Sequence, residues 1–249
     1  MVAAPDPGAL QFIRQMLLEG YGRQFWEGTA ETIELALLSL CLAFTIGLIG
    51  AAAKLSSHRW LSIPAGVYTT LIRGVPDLVL MLLLFYSFQD SLNRITDALG
   101  LAQIDIDPFS AGVCVLGFIY GAYFTETFRG AVLAVPKGQI DAANAFGLTP
   151  WQVFRRILFP QMMRFALPGI SNNWQVILKA TALVSIIGLH ELVSAAQEAS
   201  TGASSKGAYH AFIFLGVAAL IYLVLTTVSN VVFGILEKRY SIGTGPSGL

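Results

Sequence analysis

A run of 19 residues without a charged side chain, Leu35 to Ala53, constrains the fold of this chain more than any other feature. Because an α-helix rises about 1.5 Å per residue, about 20 apolar residues cross the hydrocarbon core of a bilayer. Four further apolar runs follow, and we predict spans at about 35–53, 61–88, 109–135, 165–189 and 208–236. Strands of a membrane barrel alternate over about ten residues. Runs of this length therefore predict an all-α integral membrane protein with five transmembrane helices.

The composition also indicates a membrane protein. Charged residues make up 12% of the chain and hydrophobic residues 55%, and the mean hydropathy is +0.67. Soluble domains carry about 25% charged residues, so an ordinary soluble domain is excluded. The net charge of zero offers no basic surface for nucleic acid. Cys41 and Cys114 fall within apolar runs, and we expect them to be buried free thiols rather than a disulfide.

The distribution of Lys and Arg between the loops predicts the orientation of the spans. Cytoplasmic loops carry an excess of these cations, and the chain has eight on one side of the predicted spans and four on the other. The eight are Lys54, Arg59, Lys137, Arg155, Arg156, Arg164, Lys238 and Arg239. We therefore place the loop 136–164 and the tail 237–249 in the cytoplasm, with a single transmembrane domain at 35–236. Segment 1–34 then lies outside, and it lacks the pattern of a cleavable signal peptide.

The longest cytoplasmic segment, 136–164, reads as two short helices joined by a turn. The first is Ala-rich and is followed by Gly147, a favoured residue just beyond a helix end. Thr149 and Pro150 suit the N-cap and first position of the second helix, which we expect to end at Pro160. This second helix carries an apolar stripe of Trp151, Phe154, Ile157 and Leu158. Two interpretations follow: a hairpin on the inner membrane surface, or a docking element for a cytoplasmic partner.

Five charged residues interrupt the predicted spans, although a charge at the bilayer centre costs about 2.5–3.5 kcal/mol. Arg73 and Asp77 are four residues apart and can pair on one helix face, and Glu126 and Arg129 can pair similarly. Lys179 has no partner on its own helix. From the span ends, Arg73 and Lys179 lie roughly 18 and 21 Å along their helices, in a common mid-membrane layer. These charges are either self-neutralising structural pairs or part of a polar path.

The cytoplasmic loop resembles a motif of the membrane subunits of ATP-binding-cassette (ABC) importers. In that family the loop reads E-A-A, three residues, Gly, nine residues, Ile-x-Leu-Pro. This chain has Asp141-Ala142-Ala143, three residues, Gly147, nine residues and Ile157-Leu158-Phe159-Pro160. Asp replaces Glu at 141, and Phe replaces Leu at 159. The resemblance implies a coupling helix that contacts an ATPase subunit through Asp141, Ala142, Ala143, Phe146 and Gly147.

Further blocks resemble the polar amino acid branch of these permeases, closest to the branch for histidine, lysine, arginine and ornithine. They are Arg73-Gly-Val-Pro-Asp77, Gly121 to Ala131, Val135 to Gly138, Asn172 to Ser185, and Ile187 to Leu192. The resemblance implies the type I (MetI-like) permease fold in a bacterial inner membrane, with the N-terminus in the periplasm. It also implies an ABC ATPase dimer, a related second permease subunit and a periplasmic amino-acid-binding protein as partners.

For such a chain we expect a non-catalytic role. No Walker A loop, G-x-x-x-x-G-K-S/T, occurs, so ATP and Mg²⁺ are expected on the partner ATPase, with no cofactor or metal bound here. An amino acid carries both signs of charge, so we predict a substrate path through Arg73, Asp77, Glu126, Lys179 and Glu191. In this path a substrate carboxylate suits Arg73 and a cationic side chain suits Asp77. The alternative is a non-transporting assembly or sensor subunit with the same docking loop.

Overall fold

The computed structural model describes residues 21–202 and 209–241, and within these ranges the chain is all-helical. The helices are α1 (Tyr21–Leu55), α2 (Arg59–Gly74), α3 (Asp77–Ala98), α4 (Pro108–Leu133), α5 (Lys137–Ala145), α6 (Pro150–Val153), a π-helical turn (Phe154–Leu158), α7 (Phe159–Ala180), a 3₁₀ helix (Thr181–Ile187), α8 (Leu192–Gly202) and α9 (Tyr209–Ser241). The predicted all-α fold class is confirmed.

Three helices are long and apolar enough to cross a membrane alone: α1, α4 and, over Ala211–Tyr240, α9. Two bent pairs pass the same test together. In the first, α2 and α3 meet at 115°; in the second, the helical stretch Pro150–Ile187 and α8 meet at 49°. If each bent pair is one span, the described residues contain up to five spans, the number that the apolar runs predict.

The helix bounds differ from the apolar runs because charges at a helix end do not stop the helix. Helix α1 is already helical at Tyr21, well before Leu35, and Arg23 and Glu27 form an exposed ion pair on it. Helix α9 runs on to Ser241, past the predicted span end at 236. Residues 1–20 of the predicted outer segment and 242–249 of the predicted tail lie outside the described residues.

The centre of the molecule is the close packing of α1 on α4. A Cβ atom added at Gly47 of α1 would lie 2.4 Å from Cβ of Phe124, and one added at Gly121 of α4 would lie 2.6 Å from Cγ2 of Ile46. Small residues of this kind let two membrane helices approach closely and gain van der Waals contact. Phe124 and Ile119 of α4 are fully buried. Helix α4 is therefore the core helix, and groups attached to it have fixed positions.

The N-terminus of α4 is capped by Asp107, whose carboxylate accepts hydrogen bonds from the backbone N–H and the hydroxyl of Ser110 at 2.9 and 2.8 Å. These bonds hold the pKa of the Asp107 carboxyl below its usual value. Pro108 occupies the first helical turn, where a missing N–H costs nothing. The sequence 107–110 thus sets the start of the core helix.

The prediction that a helix ends at Pro160 is wrong. The chain continues from α6 through the π-helical turn into α7, where Pro160 lies in the first turn. The backbone N–H of Phe159 bonds to the carbonyl of Phe154, five residues back. The wider π-helical turn accommodates Pro160, which has no backbone N–H to donate, and the helix continues without a break. Helix α7 also continues through Pro168.

The two cysteines are free, but the expectation that they are buried is wrong: Cys41 and Cys114 are both exposed on the isolated chain. An apolar run predicts transfer out of water, which lipid provides as well as a protein core does. Exposed apolar side chains are therefore normal on the outer faces of α1 and α4.

Candidate functional site

The helix break between α2 and α3 lies inside the second predicted span and separates two charges. Gly74 is the last residue of α2, Val75 is extended (φ −116°, ψ 142°), and Asp77 begins α3. The residue before a proline avoids the helical region, so Pro76 accounts for the extended Val75. The helix is therefore broken completely at 74–76, with an angle of 115° between α2 and α3.

Arg73 and Asp77 do not form the structural pair that their spacing allowed. The described residues contain no ion pair between them. The two residues lie on different helices that meet at 115°, so they do not share a helix face. Arg73 instead occupies the last turn of α2, and Asp77 the first turn of α3. A cation at a helix C-terminus and an anion at an N-terminus are each favoured by the helix dipole, typically by about 0.3–1 kcal/mol. The helix ends thus stabilise the two charges separately.

Two tyrosines of the core helix α4 receive these charges. The hydroxyl of Tyr120 donates a hydrogen bond to Asp77 Oδ2 at 2.8 Å. The guanidinium carbon of Arg73 lies 5.5 Å from the centre of the Tyr123 ring, within the range of a cation–π contact. The two tyrosine rings are 5.5 Å apart. We call Arg73, Asp77, Tyr120 and Tyr123 the charge–tyrosine cluster; it presents a carboxylate, an aromatic face and a guanidinium together.

The sequence singled out Arg73 and Asp77 but missed the two tyrosines. Tyr120 is 1% exposed, while Asp77 is partly exposed and Arg73 exposed. A tyrosine in an apolar run looks like a core residue, and its spacing to Asp77 is 43 residues. A tyrosine hydroxyl at membrane depth needs a partner, and that need was the available signal.

Lys179 and Asn172 lie on one exposed face of α7. They are seven residues apart, which is about two helical turns, and both are exposed on the chain. Lys179 forms no ion pair with any residue in 21–202 or 209–241. An unpaired ammonium is expensive against lipid. This face of α7 therefore requires water or a neighbouring subunit.

Glu126 belongs to a separate cluster that joins three helices. It forms the predicted ion pair with Arg129, Nε to Oε2 at 2.9 Å, and a second pair with Lys54 at the end of α1. Lys54 also donates to the hydroxyl of Thr69 in α2 at 2.7 Å. The Glu126 side chain is 16% exposed. Through these contacts Glu126 and Lys54 connect α1, α2 and α4. The sequence analysis missed both Lys54 and Thr69.

Glu191 is fully buried and caps helix α8. Its carboxylate accepts hydrogen bonds from the backbone N–H groups of Val193 and Ser194, at 2.9 and 3.0 Å, and from the hydroxyl of Tyr222 at 3.1 Å. The hydroxyl of Thr32 accepts the N–H of Leu192 at 3.1 Å. The carboxylate therefore ties α8 to α9, and nothing of it faces solvent in this structure.

The loop at residues 136–164, which we call the docking loop after its predicted role, has the turn that its sequence predicts. Gly147 adopts φ +73°, its N–H bonds to the carbonyl of Asn144 at 2.9 Å, and the N–H of Leu148 bonds to that of Ala143 at 3.2 Å. This pair of bonds is the Schellman motif, and it ends α5. Gly147 as the residue after the helix end is therefore confirmed.

The start of the second helix is confirmed as well. The hydroxyl of Thr149 accepts the N–H of Gln152, and the Gln152 side chain accepts the N–H of Thr149 at 2.9 Å, a reciprocal capping box. Pro150 occupies the first turn. Local sequence alone thus defines both sides of the turn.

The outer surface of the docking loop is apolar and uncovered. Phe146 is 86% exposed and Trp151 is 65% exposed. Asp141 and Ala142 are also exposed, whereas Ala143 is buried against the loop itself. Large exposed aromatic side chains on a polar surface are typical of protein–protein contacts.

Long apolar helices, charged residues within the predicted spans and an exposed apolar loop define the chain as a helical membrane protein. The chain belongs to the family of binding-protein-dependent transport system inner membrane components, whose model matches residues 43–242. It is 61% identical over 227 residues to the histidine/lysine/arginine/ornithine transport system permease protein HisQ of Salmonella typhimurium, covering 91% of this chain and 97% of HisQ.

Solved structures confirm the fold. A chain in the crystal structure of an amino acid ABC transporter with histidines matches with a TM-score of 0.73 and 29% identity, covering 92% of this chain and 97% of that one. A chain of the inward-facing MetNI methionine ABC transporter matches with a TM-score of 0.68 at 17% identity, covering 90% and 99%. The type I, MetI-like permease fold is therefore confirmed.

Proposed function

We propose that this chain is the permease subunit of an ABC importer that carries polar amino acids, basic ones in particular, across the bacterial inner membrane. The observation that carries the proposal is the charge–tyrosine cluster in a chain 61% identical to a permease for histidine, lysine, arginine and ornithine. A basic amino acid has one carboxylate and two cationic groups. The cluster offers a guanidinium for the first and a carboxylate with an aromatic face for the second.

In this proposal the path runs past the exposed face of α7 and the cluster at the break between α2 and α3. Lys179 and Arg73 supply positive charge, and Asp77 supplies negative charge. Asp77 is partly exposed, and the Tyr120 hydroxyl bonds to its Oδ2. Glu126 and Glu191 act on this path by fixing the helices around it, since their carboxylates are held by protein groups.

Energy for transport comes from other polypeptides in this proposal. The exposed aromatic side chains Phe146 and Trp151, with Asp141 and Ala142 beside them, form the surface against which an ABC ATPase docks. ATP and Mg²⁺ bind the ATPase dimer and not this chain. A second, related permease subunit covers the exposed α7 face, and a periplasmic protein delivers the amino acid. The docking loop faces the cytoplasm and the N-terminus faces the periplasm, as the distribution of Lys and Arg predicts.

The test is the variant Asp77→Asn in the assembled complex, reconstituted in proteoliposomes with its binding protein and ATPase. The amide has nearly the same shape but loses the negative charge that attracts a cation at low dielectric. We expect uptake of arginine per assembled complex to fall at least tenfold. Asp97→Asn, an exposed carboxylate near the other end of α3, is the control and should transport normally. If Asp77→Asn assembles poorly but transports normally per complex, Asp77 is structural and the proposed path is wrong.

A further inference from the structure

We propose that Tyr123 is the specificity-determining residue for the substrate's cationic group, and that Arg73 occupies its ring as a tethered competitor until the substrate displaces it. The inference deepens the proposed function and rests on it. It assigns two positions to Arg73: over the Tyr123 ring in the empty cluster, and at the substrate carboxylate in the filled one.

The structure shows Arg73 at the first of these positions. The Arg73 guanidinium lies over the Tyr123 ring, at 5.5 Å from its centre, and makes no ion pair with Asp77. Asp77 is held by the hydroxyl of the adjacent Tyr120, whose ring is 5.5 Å from that of Tyr123. The aromatic face and the carboxylate that best suit a cation are thus side by side, and the chain's own cation covers the aromatic face.

A bound basic amino acid reverses this occupancy. Its side-chain cation is attracted by both Asp77 and the Tyr123 ring, whereas Arg73 contacts the ring and makes no ion pair with Asp77. Two cations cannot share one ring face without repulsion, so Arg73 must leave as the substrate cation arrives. Arg73 ends α2 next to the extended Val75, and it is exposed, so its side chain is free to turn. The Arg73 guanidinium, once displaced, binds the substrate carboxylate in a bidentate pair.

A neutral or acidic amino acid lacks the group that displaces Arg73. Such a ligand leaves the guanidinium on the ring and receives no charge-assisted contact from Asp77. The tethered cation therefore selects against these ligands in addition to the attraction that the cluster exerts on basic ones.

The two roles of Arg73 predict opposite effects on two ligands. Arginine carries a guanidinium and a carboxylate; agmatine keeps the guanidinium and the amine but has no carboxylate. The variant Arg73→Gln removes the competitor for both ligands and the carboxylate partner for arginine alone. We expect the affinity for agmatine to rise roughly two- to fivefold, the size of an exposed cation–π contact. The affinity for arginine should fall at least tenfold.

The measurement is equilibrium binding of radiolabelled arginine and agmatine to the purified complex in nanodiscs, without nucleotide and without the binding protein. Assembly of each variant is checked by size-exclusion chromatography. The gain in agmatine affinity from Arg73→Gln should disappear in the background Tyr123→Leu, which has no ring, and persist in Tyr123→Phe, which keeps it. This double-mutant comparison separates competition for the ring from general charge repulsion.

Three results overturn the inference. If Arg73→Gln lowers the affinity for both arginine and agmatine, Arg73 contacts both molecules directly and does not compete with them. An equal gain for agmatine with and without the Tyr123 ring makes the effect simple repulsion. If the affinity for both ligands is unchanged, Arg73 does not take part in binding. The proposed function fails separately, when Asp77→Asn leaves the binding of both ligands unchanged.

Discussion

Replacing Gly147 is the cleanest perturbation of the docking loop, because its cost is confined to the backbone. The residue has φ +73°, and a Cβ atom added there would meet nothing within 4 Å. A side chain at 147 therefore creates no clash with another residue. It only opposes the left-handed conformation that ends α5 and holds the bonds of Gly147 and Leu148 to α5.

The expected magnitude follows from that conformation. A left-handed backbone costs an L-residue with a Cβ roughly 1–2 kcal/mol. This energy lowers the population of the docked loop geometry about 5- to 30-fold relative to alternatives. Asn tolerates the left-handed region better than Ala, and a β-branched Val resists it most. The order of increasing effect should therefore be Gly147→Asn, Gly147→Ala, Gly147→Val.

The assay measures three quantities on the same preparations: capture of the ATPase by the permease complex, ATP hydrolysis and amino acid uptake in proteoliposomes. We expect near-normal amounts of membrane-inserted protein, because the spans bury their own surface. ATPase capture or the uptake per ATP hydrolysed should fall in the order given. Gly138→Ala is the control: it lies in the same loop, inside α5, with open space around it, and there Ala favours the helix.

Normal capture, hydrolysis and uptake in Gly147→Val would refute the reasoning. The loop would then tolerate a different turn, and the docking loop would not be the element that links the two subunits. A loss in Gly138→Ala equal to that in Gly147→Ala would also refute it, since the left-handed backbone would not be the cause.

Three more predictions follow from other parts of the molecule. In a background with Cys41 and Cys114 replaced by Ala, an impermeant thiol reagent on whole cells should label a cysteine at Asn93 and not one at Gln152. Gly47→Val should lower the thermal stability of the purified complex, by roughly 1–3 kcal/mol, because a Cβ there meets the Phe124 side chain at 2.4 Å and its backbone at 3.0 Å. Glu126→Gln should cost roughly 1–3 kcal/mol by the same measurement, because Lys54 and Arg129 lose their shared anion.

The labelling prediction has a refuting outcome, and the two stability predictions each have a matched control. Labelling at position 152 without labelling at position 93 would show that the predicted membrane orientation is wrong. Gly234→Ala adds a Cβ in open space on α9 and should leave stability unchanged; an equal loss there contradicts the packing argument. Asp90→Asn removes an exposed ion pair with Arg94, and surface pairs contribute little. If Asp90→Asn lowers the stability as much as Glu126→Gln does, the contacts of Glu126 with Lys54 and Arg129 contribute no more than a surface ion pair.

The sequence predicted those parts of the molecule that short-range rules determine. Hydrophobic runs predicted the helices, and the order Gly147, Thr149, Pro150 predicted a turn whose bonds all lie within the ten residues 143–152. Arg73 and Asp77 were found because a charge at membrane depth is rare. The pairing that their spacing allowed does not form, since the i, i+4 rule holds only while the helix continues, and the helix is broken before Pro76.

The remaining site residues depend on contacts across the fold. Tyr120 reaches Asp77 over 43 residues, and Lys54 reaches Glu126 over 72. Neither partner shows a local pattern that separates it from an ordinary core or interfacial residue. The Lys54–Glu126 pair forms only once α1 packs on α4, and the Tyr120–Asp77 bond only once α3 packs on α4, so helix assignment alone did not reveal them.

The docking loop and the exposed α7 face are parts of one continuous helical element. From Pro150 the chain runs through the π-helical turn to Ala180 without a break, about 45 Å at the usual rise per residue. Lys179 stands near the far end of this element, whereas the charge–tyrosine cluster is built on α2, α3 and α4. Movement of the docking loop is therefore applied to the α7 face directly and to the cluster only through packing. It follows that Gly147→Ala should leave arginine binding to the cluster unchanged while it lowers uptake; a parallel loss of equilibrium binding would show that the loop and the cluster are not mechanically separate.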